Sequence, residues 1–166
     1  MTEVKLRIYE FKLFDNVREY HAEIEAYSKS YSYSDEGIEE SVVLNKDGLD
    51  GYTLISTFEL GYTDLLEYEF DLFTRYMRED FNSEDYHFFR NNCRHYAFEL
   101  VKILKPSRMV IGLKILRNLN NMSELIGRTI HTYLQIIIII SIGLCDLPEI
   151  YKDYLLIFII ALLFKR

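Results

Sequence analysis

The period of the hydrophobic pattern changes once along this chain of 166 residues, and that change restricts the fold class more than any other feature. Residues 4–9 alternate, with Val4, Leu6 and Ile8 on one face and Lys5, Arg7 and Tyr9 on the other, as in a half-buried strand. Residues 20–27 alternate again: Tyr20, Ala22, Ile24 and Ala26 share one face, and His21, Glu23, Glu25 and Tyr27 the other. Tyr31 and Tyr33 suggest a third short strand, closed by the turn signal Asp35-Glu36-Gly37. Asn45 to Gly51 reads as loop. From Thr63 the spacing becomes helical. Strand-like segments thus come first along the chain and helical ones after them.

Thr63-Asp64 offers a capping residue followed by an acid in the first turn, and Leu66, Phe70, Phe73 and Met77 supply a stripe for a helix ending near Asp80. An aromatic connector, residues 81–90, leads to Asn91 and Asn92, both good N-cap residues. The helix they open carries Cys93, Ala97, Leu100, Val101 and Leu104 on one stripe and stops at Pro106.

Beyond Pro106 the composition shifts. Residues 1–100 hold 22 Asp/Glu against 10 Lys/Arg, whereas residues 101–132 hold 6 basic residues and 1 acidic one. With no basic stripe on the acidic part, nucleic acid is not an expected partner. The expected organisation is a domain over 1–106, a basic helical linker over 107–132 and an apolar tail over 133–166. The tail holds two apolar runs, 134–145 and 154–164, separated by Asp146, Pro148, Glu149, Lys152 and Asp153. Neither run alone reaches the roughly 20 residues of a bilayer span. Lys105, Arg108, Lys114, Arg117 and Arg128 precede them, a flank suited to anionic lipid. Membrane association through the tail is therefore the expectation, with a buried helix pair as the other reading.

Two cysteines, Cys93 and Cys145, lie far apart, and no Cys/His cluster has zinc-like spacing. No metal or cofactor is called for. The first residues lack the apolar core of a signal peptide, which points to a reducing, cytoplasmic setting where a thiol stays available. Cys93 at a helix start has two routes to reactivity: unpaired first-turn amides with the positive dipole end, and a nearby imidazole. Composition offers His21, His87 and His95. His95, two residues on, points about 200° away around the helix. His87 lies in the connector and has no assigned place. A cysteine on an apolar stripe is also an ordinary core residue.

The blocks His21-Ala22-Glu23-Ile24-Glu25 with Tyr31-Ser32-Tyr33-Ser34, then Glu59-Leu60-Gly61-Tyr62-Thr63-Asp64, then Asn91-Asn92-Cys93-Arg94-His95-Tyr96-Ala97-Phe98-Glu99-Leu100 resemble the PPPDE family. These are permuted papain-fold peptidases that include the desumoylating isopeptidases. The resemblance runs over roughly residues 3–105. It implies an α+β domain, a small antiparallel sheet packed with helices, in which a strand histidine faces a cysteine at a helix N-terminus, with His21 as base and Cys93 as nucleophile. It further implies hydrolysis of an isopeptide bond to a ubiquitin-like modifier, with modifier conjugates as partners. Asn92 and the Cys93 amide are then the oxyanion candidates. The chain departs from the family pattern at Glu23, where a small residue is usual, at Ser34-Asp35-Glu36, which replaces a glycine-rich turn, and over 46–57. Glu23 shares the strand face of His21 and has two readings, a carboxylate that orients the base or acidifies its surroundings and, the one expected here, a solvated carboxylate. A second reading is a thiol acyltransferase or phospholipase similar to the lecithin:retinol acyltransferase-like proteins, favoured by the tail. A third is a non-catalytic binding module.

Overall fold

The computed structural model describes the backbone of residues 1–14, 17–43 and 51–145 and the side chains of 1–11, 19–43 and 51–137. Among the described residues five strands form one sheet: β1 (Thr2–Phe14), β2 (Val17–Ala26), β3 (Lys29–Ser34), β4 (Gly37–Val42) and β5 (Thr53–Thr63). Their order is β4-β3-β2-β1-β5, with every neighbouring pair antiparallel. Three helices follow among the described residues: α1 (Glu67–Met77), α2 (Cys93–Leu104) and α3 (Met109–Cys145). The α+β expectation therefore holds: a small antiparallel sheet packed with helices.

The alternation seen in the sequence fixes which face the helices cover. Leu6 pairs with Ile24 and Ile8 with Ala22, so the two central strands present one apolar face. Tyr31, Tyr33 and Leu60 extend it across β3 and β5, and Phe70, Tyr96, Leu100 and Leu104 close it from the helices. Each fully buried side chain of this kind contributes about 1.5–3 kcal/mol relative to exposure. Edge-to-face contacts order the aromatic part of this core: Tyr31 on Phe70 at 5.0 Å, and Tyr33 and Tyr96 each on Phe81 at 5.2 Å.

Thr63 does not open a helix. It ends β5 and turns its hydroxyl onto the Leu104 carbonyl, fastening the sheet to the end of α2. The helix begins later, with the Glu69 carboxylate accepting from the Leu66 amide at 3.0 Å. Consequently Phe70, Thr74 and Met77 are buried, while Leu66 and Phe73, expected on the stripe, are exposed. Two strands had no counterpart in the reading: β4, and β5 across the region after the 45–51 loop.

Gly61, at φ +92°, is where the chain after α2 passes closest to β5. The Ser107 amide donates to Tyr62 O at 3.2 Å and the Arg108 amide to Leu60 O at 2.8 Å. A Cβ on Gly61 would meet Ser107 Oγ at 2.0 Å. This crossing sends α3 back over the core, where Leu116 is fully buried and Gly112 abuts Leu60 and Val101.

The chain divides into two units, Met1–Ile126 and Gly127–Arg166. The first holds the sheet, α1, α2 and the opening turns of α3, so the basic stretch expected as a linker is split between the units. In the second, the described part of α3 exposes Ile130, Tyr133, Leu134, Ile136 and Ile137. Among the described residues no helix is long and apolar enough to cross a membrane. The charged break and the second apolar run, residues 146–166, lie outside the described residues.

Candidate active site

Asn92 is the N-cap of α2: its backbone is extended, and its Oδ1 accepts from the Arg94 amide at 3.1 Å. Cys93 is thus the first helical residue, with its amide among those that lack intrahelical acceptors. Cys93 is a free thiol and only 4% exposed.

The helix start is held by its neighbour. Arg94, 1% exposed, forms an ion pair with Glu19 and donates to Tyr20 O at 2.6 Å, Phe88 O at 3.3 Å and Ser123 Oγ at 2.7 Å. Burial lowers its pKa to about 10, which leaves it charged at neutral pH. Those contacts join the residue after Cys93 to the two residues before His21, to the connector and to α3. The same Phe88 carbonyl accepts from Asn92 Nδ2 at 2.7 Å.

His21 sits opposite Tyr9 in the β1–β2 register, beside Glu23, which is opposite Arg7. Its ring lies 6.0 Å from that of Tyr9 and 5.5 Å from that of Tyr52. The Cys93 thiol is within hydrogen-bonding and coulombic reach of the imidazole. Burial alone would lower the His21 pKa; the negative charge and hydrogen bond of Cys93, with the Glu23 carboxylate, overcome it and raise it to about 10. These interactions bring Cys93 of α2 beside His21 of β2.

Glu23 is not solvated as the sequence reading expected. It is 7% exposed, and its Oε2 accepts from Ser30 Oγ at 2.7 Å and from Tyr9 Oη at 3.2 Å. Its Oε1 faces His21 Nε2 at 3.6 Å. Burial works against its charge, but the neighbouring His21 imidazole and the hydrogen bond from Ser30 outweigh it and lower the pKa. Two tyrosines close the surroundings of the thiol. The phenols of Tyr52 and Tyr86 are both pushed up, first by burial and then by the negative charge at Cys93.

The other histidines are elsewhere. His95 Nδ1 lies 3.1 Å from Asn92 Oδ1, and burial with the Arg94 charge lowers its pKa. His87 is exposed, its Nδ1 accepting from the Phe89 amide at 3.1 Å. Arg94, Tyr52 and Tyr86 were not singled out in the sequence: Arg94 looks like any helical cation, Tyr52 follows a loop, and Tyr86 lies in the unpatterned connector. Among the described residues no group of His, Cys, Asp and Glu side chains is arranged to hold a metal ion. A groove of about 540 Å³ lies at the other end of α2, by Phe73, Lys102 and Lys105, and includes none of these site residues.

A cysteine beside a histidine, at the start of a helix, is the arrangement that thiol acyl-transfer chemistry uses. A comparison with curated proteins gave no match. Residues 3–110 match the profile described as the PPPDE putative peptidase domain, a stretch that contains the sheet apart from Thr2, α1, α2, His21 and Cys93. The chain belongs to the PPPDE putative peptidase family.

Proposed function

We propose that this protein is a cysteine-dependent hydrolase of permuted papain-like type that cleaves peptide or isopeptide bonds and removes a ubiquitin-like modifier from its conjugates. The observation that carries the reading is the contact of Cys93, first residue of α2, with the β2 histidine His21 inside a peptidase family domain. Cys93 gives its proton to His21 and its sulfur attacks the scissile carbonyl, forming a tetrahedral oxyanion. The Cys93 amide faces that oxyanion. One hydrogen of Asn92 Nδ2 is committed to Phe88 O, so Asn92 contributes by its second amide hydrogen and by capping the helix that aims the Cys93 N–H. Collapse of the intermediate expels the amine, which takes the proton from His21. Water activated by His21 then hydrolyses the thioester and frees the thiol.

The substrate-side partner in this reading is a modifier conjugate, met in the cytoplasm. The tail, 133–166, holds the enzyme at an intracellular membrane; identical soluble fractionation of full-length and tail-truncated protein would remove that part. Function is tested with a panel of ubiquitin-like modifiers bearing C-terminal electrophiles and with a labelled phospholipid, on the wild type and Cys93→Ala. Labelling by a modifier, absent in the variant, supports the isopeptidase. Cys93-dependent acyl transfer from phospholipid without modifier labelling replaces it with the lipid enzyme. No Cys93-dependent signal in either arm leaves a binding module.

A further inference from the structure

We propose that Glu23 is the positioning residue of this site, holding the Nε2 edge of His21 so that Nδ1 is the nitrogen presented to the Cys93 thiol. The inference rests on the hydrolase reading and extends it from a pair of residues to three.

Four observations carry it. Glu23 and His21 are two residues apart on β2, and in an extended strand such residues project to the same side. Oε1 is 3.6 Å from Nε2, an ion-pair contact longer than a hydrogen bond, and Nε2 is buried with no hydrogen-bond partner. Contacts of this kind tighten when substrate completes a site. Third, the carboxylate is fixed from its other side, since both Ser30 and Tyr9 donate to Oε2. That leaves Oε1 as the oxygen free to serve the imidazole. Finally, a buried carboxylate is costly unless partnered, and no Lys or Arg forms an ion pair with Glu23 within 4.0 Å among the described residues. Arg7, opposite it in the register, pairs with Glu25 at 2.8 Å. The imidazolium of His21 is thus the cation that Glu23 faces most closely.

The groups that bear on this titration come from each neighbouring element. They are Tyr9 and Arg7 on β1, Tyr52 just before β5, Cys93 on α2, and Tyr86 from the connector by way of Cys93. Glu23 differs from all of them in being a carboxylate aimed at the Nε2 edge of the ring. In the reaction it stays ionised. It orients the ring and stabilises its charged form while the proton travels between Cys93, Nδ1 and the leaving amine.

The test follows the His21 ring by ¹⁵N NMR across pH in the full chain, as wild type, Glu23→Gln and Glu23→Asp, alongside the rate of Cys93 alkylation at neutral pH. Glu23→Gln keeps the shape and removes the charge. The expected result is a downward shift of at least one unit in the His21 titration, with the imidazolium signal lost at a correspondingly lower pH, and alkylation slowed about tenfold. Glu23→Asp should restore part of each. A His21 titration in Glu23→Gln that coincides with wild type overturns the proposal. If Glu23→Gln fails to fold, Tyr9→Phe and Ser30→Ala loosen the carboxylate instead. Smaller shifts in the same direction support the role, and two unshifted titrations refute it. The two readings fail separately. A shifted titration without modifier labelling sinks only the substrate assignment; labelling with an unshifted titration sinks only Glu23.

Discussion

Replacing Arg94 by Met removes the guanidinium that joins the start of α2 to the strand carrying His21. Its hydrocarbon stem is kept approximately, but Glu19, 5% exposed, loses its cation, and the carbonyls of Tyr20 and Phe88 and the Ser123 hydroxyl lose a donor. Breaking a buried pair by removing one partner costs about 3–5 kcal/mol, because the remaining charge stays buried. For a domain stable by roughly 5–15 kcal/mol this is a large fraction. The corresponding fall in Tm is about 6–20 °C for a chain of this size. Urea unfolding followed by circular dichroism gives the free energy, and a thermal melt gives the midpoint. The companion variant Glu19→Met,Arg94→Met removes both charges and should recover most of the loss, since an apolar replacement of a whole buried pair is often neutral. A loss below about 1 kcal/mol for Arg94→Met, or a double variant as unstable as the single one, would refute the reasoning.

Three further outcomes follow from the same geometry. Because the pKa of His21 is raised to about 10 from an unfolded value near 6.5, its stabilisation is complete below about 6.5 and is lost as pH rises through 10; unfolding free energies at pH 6.5 and 10 should fall more steeply for wild type than for His21→Gln, and equal slopes would contradict this. Gly61→Ala forces a Cβ against Ser107 Oγ at a positive φ and should cost more than about 1 kcal/mol in urea unfolding, with Ser107→Gly recovering the steric part alone. Asn92→Ala removes the cap of α2 and should destabilise by about 1 kcal/mol, whereas Asn92→Ser, which keeps a side-chain acceptor, should retain more of that stability.

The central strands and the second helix were legible because each rests on local chemistry, whereas the pairing of Cys93 with His21 came from the family resemblance alone. Period-two alternation placed Leu6, Ile8, Ala22 and Ile24 on one face, and Asn92 before an apolar stripe placed Cys93 at N1. The errors share a cause in tertiary context. Thr63 has the chemistry of a helix cap, but the pairing of β5 with β1 claims it, so the helix starts only at Glu67. Strand β4 reads poorly because its Glu39 and Glu40 lie exposed at the sheet edge. For β5 the signal was present, since Leu54, Phe58 and Leu60 alternate with Ile55, Thr57 and Glu59, but a pattern half-exposed along most of its length did not stand out. Glu23 shows the same limit at the site. Alternation assigns it to the face away from the apolar core, but Tyr9 and Ser30, which bury it, come from two other strands. Arg94 is an ordinary helical cation until the fold brings Glu19 and Ser123 to it.

The central claim is that His21 activates Cys93, and the most direct measurement is the site-resolved rate of Cys93 alkylation at neutral pH in wild type and His21→Gln, read by mass spectrometry. Both proteins should first show the same far-ultraviolet circular dichroism. The account predicts that wild-type Cys93 reacts at least tenfold faster than Cys93 in the variant. Equal rates in two folded proteins would contradict it.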